Sequence, residues 1–280
     1  MENNRTETSD MIAAGVAMAA AANPFPAGSA PFIIVPEKYE AKNLESLLLQ
    51  PVRKRGEVSV TDSAGFVAYM MRHSGEGGAM IYADIDHTAG SFKLVGVIND
   101  NATDKAGWRD HTCTMNRRRS VEWDRWNAKN KSPMAQSEFA TWIEDNLADI
   151  AAVEGMPTGS DMLAMSLGFE RTSEKRLKSK INLQSGSVRL EYVDDEDKDT
   201  RTSMEVFSRF SIGIPVFENS TAAYQIDARL KYRESAGKVS FWFELIRADK
   251  AFRQAVNEEV DVIGKATGIV IINGKPVAAK

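Results

Sequence analysis

The chain has 280 residues, 43% of them hydrophobic and 26% charged, a balance that belongs to a folded globular protein and excludes an intrinsically disordered one. Its formal net charge of −4 excludes an overall basic surface that would coat nucleic acid, so any such binding has to come from a local patch. A single cysteine, Cys113, excludes an internal disulfide framework and zinc sites built on four cysteines or on two cysteines and two histidines, and fits a reducing compartment.

Met11–Ala22 (MIAAGVAMAAAA) is continuously apolar. Glu2, Glu7 and Asp10 precede it against one basic residue, Arg5, whereas a secretory signal begins basic. Its twelve residues also fall short of the ~20 that a bilayer needs. The stretch reads as a helix capped by Ser9 or Asp10 and ended before Pro24. Alanine favours helix but supplies little side-chain area, so the helix frays unless it packs on the body of the protein or on another copy of the chain. Asn23–Pro31, with three prolines and a glycine, reads as an extended linker.

The fold proper begins at Phe32–Val35, a short strand. Asn43 can cap a helix carrying Leu44, Leu47, Leu48 and Leu49. Glu57–Val60 is a strand, and Asp62 caps a helix with Phe66, Tyr69 and Met70 at i, i+3 and i+4. Residues 79–85 and 91–98 form a hairpin about the turn Asp86–Gly90, with a third strand at Thr112–Arg117. Ser137–Ala152 has apolar residues at helical spacing, and a short helix follows at Asp161–Leu167. Ile181–Gln184 and Val188–Val193 flank a Ser185-Gly186 turn, and a strand runs around Met204–Ile214. In Tyr224–Tyr232, Tyr224, Ile226, Ala228, Leu230 and Tyr232 face one way and Gln225, Asp227, Arg229 and Lys231 the other. Val239–Ile246 alternates likewise, and the two form a hairpin through Arg233–Lys238. A helix over Asp249–Gly264 and a strand over Gly268–Ile272 close the chain.

This pattern predicts an α+β fold of predominantly antiparallel sheets with helices packed on one face, plus the Ala-rich N-terminal helix. The expected organisation is a helix and linker over residues 1–31, serving as an oligomerisation arm, an α+β region over 32–156 and a strand-rich α+β region over 157–280. The last two are separated near Met156–Ser160 or continuous through one sheet.

Three constellations could carry function. On a strand, Asp84 and Asp86 project to one face about 7 Å apart. Two carboxylates beside the imidazole of His87, with His111 from a neighbouring strand, can hold a divalent cation. The competing reading leaves Asp84 on a polar strand face and makes Asp86-His87 part of the turn. Second, Lys105–Lys131 carries eight cations and three anions with Trp108, Trp123 and Trp126 interleaved. Arg117, Arg118, Arg119 and Arg125 beside Trp123 and Trp126 are what a single-stranded nucleic-acid groove, or an acidic protein partner, would use. The competing reading is a solvated surface whose tryptophans, at i and i+3, are buried on its other side. Third, Arg171–Lys180 holds five cations and one anion, and Asp194–Asp199 five anions and one cation. Opposite segments of this kind could mate between identical subunits, or simply be solvated loops. Phosphate-loop, dinucleotide-binding, zinc-protease and nucleophile-elbow motifs do not occur. Cys113 and His111 stand two apart on one strand, about 7 Å, too far for a reactive pair.

The Ala-rich start, IIVPEKYEAKNLE at Ile33–Glu45, IYADIDH at Ile81–His87 and FWFELIRADKAF at Phe241–Phe252 resemble the prophage-encoded YfdQ-like family over nearly the full length. The resemblance carries no established activity and no functional residues. It implies the cytoplasm of an infected or lysogenic bacterium and an accessory phage gene.

The sequence therefore favours a non-enzymatic, cytoplasmic accessory protein that forms homo-oligomers and binds a macromolecular partner, without a membrane span and without a cofactor. Two rivals stand beside it. One is a single-stranded nucleic-acid-binding protein of phage replication or recombination, acting through Arg117–Arg119, Trp123, Arg125 and Trp126. The other is a metal-dependent hydrolase using Asp84, Asp86 and His87.

Overall fold

In the computed structural model, which describes residues 3–22, 45–75, 78–170, 176–181, 188–193, 201–235 and 238–276, the chain divides into two units, Met1–Lys54 and Arg55–Lys280. The first unit contains helix α1 (Asn3–Ala22). It begins well before the expected start, so Ser9 and Asp10 lie inside it rather than at its cap. Nothing in Asn3–Thr8 breaks a helix, and an alanine-rich segment extends one at little cost per residue. Leu47, Leu48 and Leu49 lie in or beside a single 3₁₀ turn, Glu45–Leu47, and are exposed. Pro51 lacks an N–H and disfavours helical backbone at Gln50, which stops the expected amphipathic helix. The linker Asn23–Pro31, the strand Phe32–Val35 and the cap Asn43 lie outside the described residues.

The second unit opens with β1 (Gly56–Val60) and α2 (Ser63–His73). Asp62 accepts the Gly65 N–H at 2.7 Å, a cap worth about 1 kcal/mol, and Phe66 and Met70 are fully buried on one face. The strands β2 (Met80–Asp86), β3 (Ser91–Val97) and β4 (His111–Asn116) follow. Then come α3 (Val121–Lys129), β5 (Met134–Ala135), α4 (Gln136–Asp145) and α5 (Gly159–Glu170). The strands β6 (Arg176–Ile181), β7 (Val188–Val193), β8 (Arg201–Val206), β9 (Arg209–Ile214), β10 (Tyr224–Ser235) and β11 (Lys238–Leu245) precede α6 (Ala248–Thr267) and β12 (Ile271–Asn273).

Among the described residues the strands form three sheets, in the orders β1-β4-β3-β2-β12, β5-β11-β10-β9 and β6-β7-β8. The second and third are antiparallel throughout. The first is mixed, because β1 runs parallel to β4 and β12 parallel to β2. This is an α+β fold. In the first sheet Ala83, Leu94 and Met115 are in register and buried, so one face carries the core. Phe66 and Met70 press onto that face at Gly96, where a Cβ would collide with Met70 Sδ. In the second sheet Phe210, Ile212, Ile226, Ala228, Leu230, Phe241 and Phe243 turn inward, and Trp126 of α3 packs on Phe210 and Phe243. One hydrophobic cluster includes Phe66, Met162, Phe210 and Phe252, so it runs across the Met156–Ser160 stretch.

Further elements differ from expectation. The helix expected over Ser137–Ala152 stops at Asp145. Asn146 donates through Nδ2 to the Trp142 carbonyl at 2.7 Å, ending the helix as asparagine does. A 3₁₀ turn, Leu147–Asp149, then brings Ile150 into a bridge with Ile212. The strand expected around Met204–Ile214 is two strands, β8 and β9, belonging to different sheets. The hairpin partner of Val188–Val193 is Arg176–Ile181 rather than Ile181–Gln184. The Ser185-Gly186 turn lies outside the described residues, as does Gly237 in the β10–β11 connection.

Candidate functional site

The structure separates the four residues read as metal ligands. Asp84 stands opposite Lys93, and Lys93 opposite Asn116, one position out of phase with buried Ala83, Leu94 and Met115. Asp84 therefore projects from the face turned away from α2, where Lys275 Nζ lies 3.1 Å from it. His111 has the phase of Cys113 and Met115, so it points to the core face, where it is 5% exposed and its Nε2 is 3.0 Å from Tyr69 Oη. Asp86 accepts the N–H groups of Thr88 and Ala89 at 2.8 and 2.9 Å. Those bonds hold its carboxyl below the ordinary carboxylate range. His87 makes an edge contact with Phe252. Among the described residues no group of three or more His, Cys, Asp or Glu comes together to hold a metal ion.

The basic, tryptophan-bearing segment is also taken apart. Ser120 caps α3 by accepting the Trp123 N–H at 3.0 Å, and the spacing then sends Trp123 and Trp126 into the core, 6% and 0% exposed. Trp126 Nε1 donates to Asp149 at 2.7 Å. Neither ring can serve as a platform for a base. Arg117 lies with its guanidinium over the Phe217 ring at 5.2 Å and its Nε 2.7 Å from Glu259. It also donates to the carbonyls of Thr61 and Glu218. Arg119 pairs with Asp124 at 2.9 Å and Arg125 with Glu122 at 4.0 Å. Arg118 is exposed. The third constellation lies largely outside the described residues: Arg176, Lys178 and Lys180 are on β6, while Arg171–Lys175 and Asp194–Asp199 are not described.

Arg117 is instead the floor of a cleft of about 480 Å³ between the start of α2, the loop after Phe217 and the outer turns of α6. Its polar groups close on one another. Ser63 Oγ donates to Glu259 at 2.6 Å, and Tyr224 Oη donates to Glu258 at 2.6 Å. Burial, then the bond to Glu258, pushes the Tyr224 hydroxyl well above the ordinary phenol range, while the same bond lowers Glu258. Glu258 and Glu259 escaped sequence reasoning, and Tyr224 reads there only as an inward-facing strand residue. The only available signal was that Glu258 and Glu259 sit beside the apolar stripe of α6.

A second hollow, also about 480 Å³, lies on the outer face of the first sheet among Glu57, Asp84, Lys93, Arg109, Thr112 and Lys275. The loop between β3 and β4 forms its rim. There Asp100, 7% exposed, accepts the Tyr82 hydroxyl at 2.5 Å and pairs with Arg109 at 2.8 Å. Both hollows offer mixed polar groups, largely satisfied by one another. In neither does a histidine or thiol stand beside a hydroxyl as base and nucleophile. Tyr69, His73 and His111 form a ring cluster beneath α2 beside buried Cys113.

Fold and site together define an α+β protein in which, among the described residues, the polar groups of the two hollows bond largely to one another. Residues 5–276 match a family described as an uncharacterized conserved protein (DUF2303), and the chain belongs to that family. Searches among curated proteins and among solved structures return no match.

Proposed function

We propose that this protein is a non-enzymatic, self-associating phage or prophage accessory protein that binds a macromolecular partner in the bacterial cytoplasm. The observation that carries the reading is α1. Met11, Ile12, Val16 and Met18 are 74%, 64%, 65% and 63% exposed, in a stretch without a charged side chain from Met11 to Ala22. Fully burying such side chains is favourable by roughly 1.5–3 kcal/mol each. No described helix is long and apolar enough to cross a membrane, and a second copy of the chain offers the same apolar surface. The internal pairing of Arg117, Glu259, Ser63, Tyr224 and Glu258 supports binding over bond-making chemistry. The phage setting rests on the likeness of the stretches at Ile33–Glu45, Ile81–His87 and Phe241–Phe252 to the YfdQ-like family.

Light scattering on the purified chain tests the reading. The expected result is an oligomer at micromolar concentration that falls apart when residues 1–22 are deleted. A clean monomer, unchanged by the deletion, would remove self-association from the proposal.

A further inference from the structure

The inner residues of β9, β10 and β11 fill the core, so their alternate residues form an outer face. That face carries Arg229, Lys231 and Arg233 on β10 and Arg209 on β9, all exposed. Register puts Arg209 directly opposite Arg229, and Lys231 directly opposite Trp242 of β11. The Arg233 guanidinium carbon lies 5.8 Å from the centre of the Trp242 ring. Trp242 is half-buried, unlike the core rings Trp123 and Trp126. The carboxylates on this face are Asp227 and Glu244. Asp227 is taken up by Ser211 at 2.5 Å and Gln225 at 3.2 Å, and Glu244 lies 3.5 Å from Trp242 Nε1. Among the described residues, none of the four cations forms an ion pair with a carboxylate.

Like charges directly opposite each other on a sheet are destabilising. On a chain of net charge −4, Arg229 nevertheless meets Arg209 on one side and Glu244 on the other, and Lys231 and Arg233 follow along the same side of β10, so four cations stand against two carboxylates on this face. We propose that this face binds single-stranded nucleic acid, with Arg209, Arg229, Lys231 and Arg233 following phosphates and Trp242 stacking on a base. The inference rests on the partner-binding reading above and names the partner. Cations at i, i+2 and i+4 of one strand recur about every 7 Å, a row that an extended phosphate backbone can track. An aromatic ring set among them supplies the sequence-tolerant contact that single strands use. A double helix keeps its base faces stacked inside and gives Trp242 nothing to contact. An acidic protein would use the cations and leave the ring without a base.

The test is binding of a labelled oligothymidylate to the full chain, read by fluorescence anisotropy and by quenching of tryptophan emission, with an acidic polyglutamate peptide and a duplex as rival ligands. Wild type should bind the single strand and quench. Raising salt from about 50 to 200 mM should weaken binding roughly 20- to 50-fold if three or four phosphates are contacted. Arg229→Glu combined with Lys231→Glu should cost at least about tenfold, with a shallower salt dependence. Trp242→Leu should abolish the quenching and weaken binding about tenfold with the salt dependence retained. Lys265→Glu, exposed in the last turn of α6, should change neither. Circular dichroism shows whether each variant is folded. No binding by wild type at low salt, binding indifferent to the paired charge reversal, or duplex bound as well without any effect of Trp242 would overturn the inference. Preference for polyglutamate would overturn it too, while leaving partner binding standing. Light scattering reports self-association separately, so the two readings fail independently.

Discussion

Arg117, the residue after β4, and Glu259 of α6 form an ion pair at 2.7 Å with only 5% and 15% of their side chains exposed. The pair ties the end of the first sheet to the helix that closes the fold. Removing one partner leaves the other charge buried, which costs about 3–5 kcal/mol. Arg117→Ala should therefore lower the urea midpoint strongly, and Glu259→Gln less so, because it keeps the shape and much of the hydrogen bonding. Arg118→Ala, one residue on and exposed, should stay within about 0.5 kcal/mol. Equal midpoints for Arg117→Ala and Arg118→Ala would show that the pair contributes no stability.

Trp126 is fully buried, with its ring against Trp142, Phe210 and Phe243. Trp126→Ala should destabilise by about 3–5 kcal/mol through the cavity it leaves. Trp126→Phe keeps an aromatic ring but loses the 2.7 Å bond to the half-buried Asp149, at a cost of about 1.5–3 kcal/mol for a hydrogen bond to a charged group. Thermal unfolding separates the two. If Trp126→Ala melts like wild type, the assignment of this tryptophan to the core is wrong.

Burial pushes the Cys113 thiol up to about 11. Native protein at pH 8 should thus react with iodoacetamide far more slowly than protein in denaturant, because the thiolate is the nucleophile. The unfolded thiol ionises first, near 8.5, so the unfolded state binds fewer protons above that pH. This contribution to stability is complete below about pH 8.5 and is lost as pH rises toward 11. Cys113→Ala should flatten that alkaline decline. An unchanged decline would assign it to other groups.

Gly107 lies where a Cβ would strike the carbonyls of Asn99 and Asp100, and its N–H donates to Asn101 at 2.9 Å. Backbone, unlike a side-chain tip, cannot swing aside. Gly107→Ala should cost about 1–3 kcal/mol and disturb the Asp100–Arg109 pair that anchors this loop. Loss of that anchorage would appear as faster amide exchange over residues 99–110. An exchange pattern identical to wild type would mean that the loop accommodates the methyl group.

The metal reading makes a contrary prediction that geometry argues against. Since Asp84 and His111 project from opposite faces of the first sheet and Asp86 caps its own turn, neither a chelator nor added Mn²⁺ should move the melting temperature. A metal-dependent rise that is lost in both Asp84→Asn and His87→Ala would restore the hydrolase reading.

Local features were legible in the chain itself. The cap at Asp62, the turn at Asp86 and the buried face of Tyr224–Tyr232 follow from short-range spacing, because side-chain direction repeats every two residues in a strand and every three to four in a helix, whereas the i, i+3 spacing of Trp123 and Trp126 left burial and nucleic-acid contact both open. Those periods set only relative directions. They could not say that Arg117 would reach Glu259, that Asp84 and His111 would look opposite ways, or that Arg209 would meet Arg229, since each depends on which distant segment becomes the neighbour. Pairing across the sheets and packing of α6 decided those outcomes. They are set by the shared burial of apolar surface over the whole unit, a quantity that no window of neighbouring residues contains.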